Sequence, residues 1–82
     1  MSYKLLITRP AARQLAGLPP DIYLELRDRI RALGADPLPP EAEKIEDKEG
    51  WRIYAGKYRL IYTFDRAAGT VTVLDVARRS DA

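Results

Sequence analysis

Any chemistry this chain performs must be built from arginine, lysine, tyrosine, hydroxyl and carboxylate groups, because its 82 residues include no histidine and no cysteine. That removes the usual transition-metal ligands, the thiolate nucleophile, the ordinary imidazole base and any disulfide framework. What remains in quantity is arginine. Its planar fork matches the oxygens of a phosphate and stays charged at every physiological pH. Arg52, Arg59 and Arg79 fall within residues 51–79, in the order W-R-I-Y-A-G-K-Y-R-L-I-Y-T-F-D-R-A-A-G-T-V-T-V-L-D-V-A-R-R, beside Tyr54, Lys57, Asp75 and Arg78.

This stretch contains three apolar, β-branched and aromatic runs, 51–55, 58–65 and 70–77, divided by Gly56-Lys57 and by Arg66-Ala67-Ala68-Gly69. Two tight connections between such runs predict an antiparallel meander. Side chains alternate along a strand, so parity assigns the faces. One face then holds Trp51, Ile53, Ala55, Tyr58, Leu60, Tyr62, Phe64, Thr72, Leu74 and Val76. The other holds Arg52, Tyr54, Arg59, Ile61, Thr63, Val73, Asp75, Ala77 and Arg79. On this assignment Trp51, Tyr58, Tyr62 and Phe64 belong to the core, and three guanidinium groups from three strands share one face.

Upstream, residues 3–7 read as a first strand. Thr8 supplies an N-cap oxygen and Pro10 suits a first helical turn. A short helix over 10–16 ends at Gly17. Pro19, Pro20 and Asp21 break it and open a second helix, whose Ile22, Leu26, Ile30 and Leu33 recur at helical spacing and which is expected to span 20–33, with Gly34 as its stop. The proline-rich 36–40 segment excludes regular structure. Residues 41–50 form an acidic run, expected to be a solvated loop, with ordering against a basic segment as the alternative. The expected fold is α+β in the order β-α-α-β-β-β. It is a small, mostly antiparallel four-stranded sheet with a helical hairpin on one face, in one domain over 1–82.

The formal net charge of +2 is unevenly spread. Residues 1–33 carry six Lys/Arg against three Asp/Glu, and 51–82 again six against three, whereas 41–50 carry five acidic and two basic residues. Basic folded parts favour a polyanionic partner. The alternative is a solvated surface on which the arginines bridge Asp75, Asp65 and the acidic run; Arg9, Arg13, Arg27, Arg29 and Arg31 on the helices stay open in the same way. No apolar run approaches the length of a bilayer span, and the first residues lack a signal-peptide core, so a cytoplasmic protein without membrane contact is expected.

In order and spacing, the L-P-P hinge, the D-P-L-P-P loop at 36–40, E-G-W-R-I at 49–53, G-K-Y-R-L-I-Y at 56–62 and V-L-D-V-A-R-R at 73–79 resemble the RelE/ParE superfamily of type II toxin–antitoxin toxins, in its RelE-like branch. The resemblance covers nearly the whole chain. It implies a ribosome-dependent mRNA endonuclease (an mRNA interferase) that enters the ribosomal A site, inhibits translation, uses no metal or small-molecule cofactor, and is neutralised by a RelB-like antitoxin. It places Arg52 at a commonly basic position, Arg59 at the strand arginine, and Arg78 and Arg79 at the closing basic pair. Tyr54 stands where the most active relatives carry a lysine proposed as general base. Many relatives also place a base-stacking tyrosine after the basic pair, and the sequence runs to Ala82 without one, which leaves Tyr54 or residues beyond this terminus for that role.

Metal-free RNA cleavage needs a proton acceptor for the attacking 2′-hydroxyl, a donor for the leaving 5′-oxygen, and positive charge around the phosphorane. Arg59 is assigned to transition-state charge, Arg52 to phosphate positioning and, as the resemblance implies, Arg79 to the leaving oxygen. Tyr54 is the candidate base, with Asp75 and Lys57 as other candidates; Arg78, Lys57 and Asp75 are also candidates for RNA contact. Two alternatives from other classes stay open. One is a ParE-like DNA gyrase poison without nuclease activity, disfavoured by the short hairpin and the arginine set. The other is a degenerate toxin that only binds its antitoxin and co-represses their operon.

Overall fold

A computed structural model describes residues 2–79. The chain runs β1 (Lys4–Ile7), α1 (Arg9–Ala16), α2 (Pro20–Ala35), β2 (Glu43–Lys44), β3 (Trp51–Ala55), β4 (Tyr58–Asp65) and β5 (Thr70–Arg78). The sheet order is β1-β5-β4-β3-β2. β3, β4 and β5 form the expected meander, while β1 returns parallel to β5 from Lys4↔Thr70 to Ile7↔Val73. Parallel neighbours need a long crossover, and the two helices supply it.

The α+β class stands, but the sheet has five strands where four were expected. The additional strand, β2, lies inside the acidic run and pairs Glu43↔Arg52 and Lys44↔Trp51. Neither residue favours strands; the segment is recruited because the Ile45 amide donates to the Gly50 carbonyl (3.1 Å) and closes a hairpin around Asp47, at φ 63°.

Local signals set most helix ends. Thr8 Oγ1 accepts from the Ala11 amide at 3.4 Å to cap α1. α2 opens at Pro20 and continues through Gly34 to Ala35, so the expected stop at Gly34 is corrected. Gly34 serves close approach instead. Its carbonyl accepts from the Tyr3 amide at 2.6 Å, and a β-carbon there would meet the Tyr3 carbonyl oxygen at 3.4 Å. Packing, not a left-handed turn, explains this glycine.

The helices bury Ala11, Leu15, Leu26, Ile30 and Leu33 against Ile53, Ala55, Leu60, Tyr62, Val71, Val73 and Val76, with Trp51, Tyr58 and Phe64 partly buried around them. The parity assignment holds for β3 and β4 and fails in part of β5. Ile61 pairs with Asp75 but Tyr62 pairs with Val73, which leaves Leu74 as an extra residue. A bulge of this kind exchanges the faces of everything beyond it. Val73, expected on the arginine face, is fully buried, whereas Leu74, expected in the core, is exposed. Thr72 pairs with Thr63 and so shares its face.

Tyr62 ties the core to the proline-rich loop, its hydroxyl donating to the Pro37 carbonyl at 2.6 Å. Burial first, then the Asp36 and Glu41 charges, push this phenol up to about 12. A raised folded value means that the folded state holds the proton more tightly than the unfolded chain does. The resulting stability is complete below the ordinary value of about 10 and is lost as pH climbs towards the folded one. Relative to Tyr62→Phe, the wild type should therefore lose on the order of 2–3 kcal/mol between pH 9 and 12 in denaturant titrations. A stability difference between the two that stays constant over that range would contradict the assignment.

Candidate nucleic-acid interface

The sheet face turned away from the helices carries the expected arginine cluster. Tyr54 on β3 stands directly opposite Arg59 on β4, and Arg52 lies opposite Ile61. Arg79 follows β5 directly, and its amide donates to the Lys57 carbonyl at 2.7 Å, fixing the end of β5 to the β3–β4 turn. Its guanidinium carbon lies 4.0 Å from the centre of the Tyr54 ring, and that of Arg52 lies 5.5 Å from the same ring. Two cations thus flank one phenol, and electrostatic attraction to the ring holds both in place.

Arg52 and Arg59 also meet carboxylates, as the surface alternative expected in part. Arg52 Nη2 lies 3.5 Å from Glu43 Oε2, and Arg59 Nη2 lies 3.6 Å from Asp75 Oδ2. Asp65 instead accepts from the Ala68 amide in the β4–β5 turn. Both ion pairs are long and about two-fifths exposed on the arginine side, so each contributes little. Among the described residues, the buried Nε atoms of Arg52 and Arg59 have no hydrogen-bond partner. The outer ends of both side chains are about two-fifths exposed and meet their carboxylates only at long range, so each can exchange that partner for an anion.

The acidic run is ordered rather than a free loop. Ile45, Glu46, Lys48 and Glu49 wall one side of a groove of about 420 Å³ whose floor is Arg52, Tyr54, Arg59, Ile61 and Leu74. Arg29 on α2 lies 3.3 Å from Glu41 and helps to anchor the segment. Lys57, Arg78 and Arg79 border a second, more polar recess with Gly56 at the end of the sheet. Arg78 pairs with Tyr58, so it belongs to the opposite face from Arg79. Arg79 lines this recess while its guanidinium reaches the Tyr54 ring on the floor of the first.

Asp75 is the candidate whose surroundings differ most from expectation. Its Oδ1 accepts from Gln14 Nε2 at 3.0 Å while Oδ2 faces Arg59, so both oxygens are engaged. Gln14, Glu43 and Leu74 are site residues that the sequence did not single out. Only the β5 pattern held a signal for any of them, since its apolar residues at 71, 73, 74 and 76 fit no single alternation. Among the described residues, no group of three or more acidic, histidine or cysteine side chains could hold a metal ion, and no helix is long and apolar enough to cross a membrane. The chain beyond Arg79, where relatives place the stacking tyrosine, lies outside the described residues.

A two-helix crossover on one face of a five-stranded sheet, with the basic face left free of helices, is the architecture of the RelE-like toxins. The toxin–antitoxin complex RelBE2 of Mycobacterium tuberculosis superposes with a TM-score of 0.84 at 28% identity, covering 96% of this chain and 100% of that one. The archaeal RelE–RelB complex of Pyrococcus horikoshii gives 0.88 at 25% identity, with full coverage of both. The isolated Escherichia coli RelE toxin gives 0.86 at 18% identity, over 99% of this chain and 88% of that one, a likeness of fold alone. No curated protein sequence matches at a significant level. The family model described as the ParE toxin of type II toxin–antitoxin systems matches residues 5–82. The chain therefore belongs to the ParE toxin family, within the RelE/ParE superfamily that its motifs resemble.

Proposed function

We propose that this toxin is a ribosome-dependent, metal-independent mRNA endonuclease of the cytoplasm, working as one domain and neutralised by a RelB-like antitoxin. The observation that carries the proposal is the gathering of Arg52, Tyr54, Arg59 and Arg79 on one helix-free sheet face. In the proposed reaction the 2′-oxygen attacks the adjacent phosphate and the 5′-oxygen leaves. Arg59 and Arg52 hold the equatorial oxygens as charge builds. Arg79, held against Tyr54, donates towards the leaving oxygen, and Tyr54 between two guanidinium groups is the candidate base. Lys57 and Arg78 extend the positive surface along the mRNA backbone, and the ribosomal A site supplies the orientation that a shallow groove lacks. Asp75 is assigned to holding Arg59 rather than to RNA.

An antitoxin partner is supported by the RelB-bound relatives and by an apolar recess where Ile7 of β1 and Tyr23 of α2 are left exposed, edged by Arg27 and Arg31. Such a recess suits an amphipathic helix with acidic flanks. Because the matching family model is that of ParE, poisoning of DNA gyrase without nucleolysis is the second reading. A translating extract separates the two. We expect cuts within A-site codons and nearly intact free RNA. Arrested supercoiling with intact mRNA would replace this proposal with the second reading.

A further inference from the structure

Gln14 lies on α1, away from the arginine face, yet its side chain makes two contacts more than sixty residues distant. Its Oε1 accepts from the Val76 amide at 2.8 Å, and its Nε2 donates to Asp75 Oδ1 at 3.0 Å. β1 pairs with β5 only as far as Val73, so Gln14 takes an edge amide that no strand takes. The first bond fixes the orientation of the carboxamide, because only its oxygen can accept from an N–H. The nitrogen must then point at Asp75, whose other oxygen lies 3.6 Å from Arg59.

We propose that Gln14 is a positioning residue for Arg59, acting through Asp75, an inference that rests on the nuclease reading of the arginine face. Arg59 is a long, half-exposed side chain whose terminal nitrogens are held, among the described residues, by a single carboxylate. A lone aspartate would itself rotate. Gln14 removes that freedom by holding Oδ1, so the guanidinium meets the phosphate with less disorder to lose. The bulge makes this possible. With Leu74 as the extra residue, Asp75 and the Val76 amide come next to α1 at the point where β1 has ended. The helix is fixed there as well, since the Thr8 amide donates to the Val73 carbonyl at 3.0 Å and Thr8 Oγ1 donates to the Leu74 carbonyl at 3.2 Å.

The test is a double-mutant cycle with Gln14→Glu and Arg59→Lys in the full chain, measuring single-turnover cleavage of mRNA on stalled ribosomes. Glutamate can still accept from Val76 but cannot donate to Asp75, so the fold keeps its anchor while the relay breaks. We expect Gln14→Glu to lower the cleavage rate roughly 10- to 100-fold with unchanged concentration dependence and only a small drop in the melt from the carboxylate it sets beside Asp75. In the Arg59→Lys background it should cost less than about twofold, because the residue it acts through has gone. A wild-type rate in Gln14→Glu, or an equal loss in both backgrounds, overturns the proposal. If Gln14→Glu does not fold, Gln14→Met, of similar length and unable to donate to Asp75, takes its place under the same criteria. If the wild type cuts no mRNA, the nuclease reading fails by itself. The relay is then decided by nitrogen relaxation of the Arg59 Nε–H, which should be rigid in the wild type and mobile in Gln14→Glu; equal mobility overturns it.

Discussion

On the nuclease proposal, Arg59→Ala should fold like the wild type and cut mRNA in a translating extract about 10² to 10³ times more slowly, the usual cost of removing one preorganised donor from a developing oxyanion. The expected size follows from position. Arg59 projects from the middle strand of the sheet, opposite Tyr54, and among the described residues its Nε is buried without a partner. On the nuclease proposal, a phosphate oxygen meets the exposed outer end of this side chain, which Asp75 already faces at 3.6 Å. Stability should change by less than about 1 kcal/mol, because the ion pair lost with Asp75 is long and partly exposed. Arg59→Lys should recover little of the rate, since a point charge cannot reproduce bidentate geometry. Growth inhibition by a well-folded Arg59→Ala chain at wild-type strength would remove Arg59 from the mechanism.

The second large effect concerns two adjacent residues that simple alternation would have exchanged. Val73→Asp places an unpaired carboxylate in the centre of the core and should cost about 4 kcal/mol or more. A chain of 82 residues has roughly 4–12 kcal/mol in all, so most of the fold is lost. Leu74→Asp, one position on, should change the melt by less than about 0.5 kcal/mol, because its side chain is already at the surface. Thermal denaturation of the two variants side by side checks the bulge. The reverse order would restore an unbroken β5 and remove the geometry that brings Asp75 beside α1.

Much of this architecture was legible because local chemistry and tertiary demands agree. Thr8 and Pro10 open α1, the prolines at 19 and 20 separate the helices, and β3 and β4 begin and end where the alternating runs do. Arg52, Tyr54, Arg59 and Arg79 share a face because strand alternation is local and carries across antiparallel partners. Three features lay beyond such signals. β2 is made of Glu43 and Lys44, which enter the sheet only because Trp51 and Arg52 offer an open edge. Gly34 looks like a terminator, and only the passage of Tyr3 against it explains why the helix continues. Gln14 is an ordinary surface-type residue in the sequence, and its partners lie across the whole length of the chain.

The pairing of β1 with β5 joins Lys4 to Thr70 and Leu5 to Val71. Closing so long a loop comes late in folding, since the entropy of bringing the ends together is lost before any contact compensates for it. During synthesis the first strand must wait, unpartnered, until residues 70–73 have left the ribosome. Until then Val73 has no wall to complete and the end of β5 cannot set Arg79 against Tyr54. On the nuclease proposal, a chain still lacking residues 70–79 therefore carries no assembled arginine face, and the activity can arise only after the parallel pairing has closed.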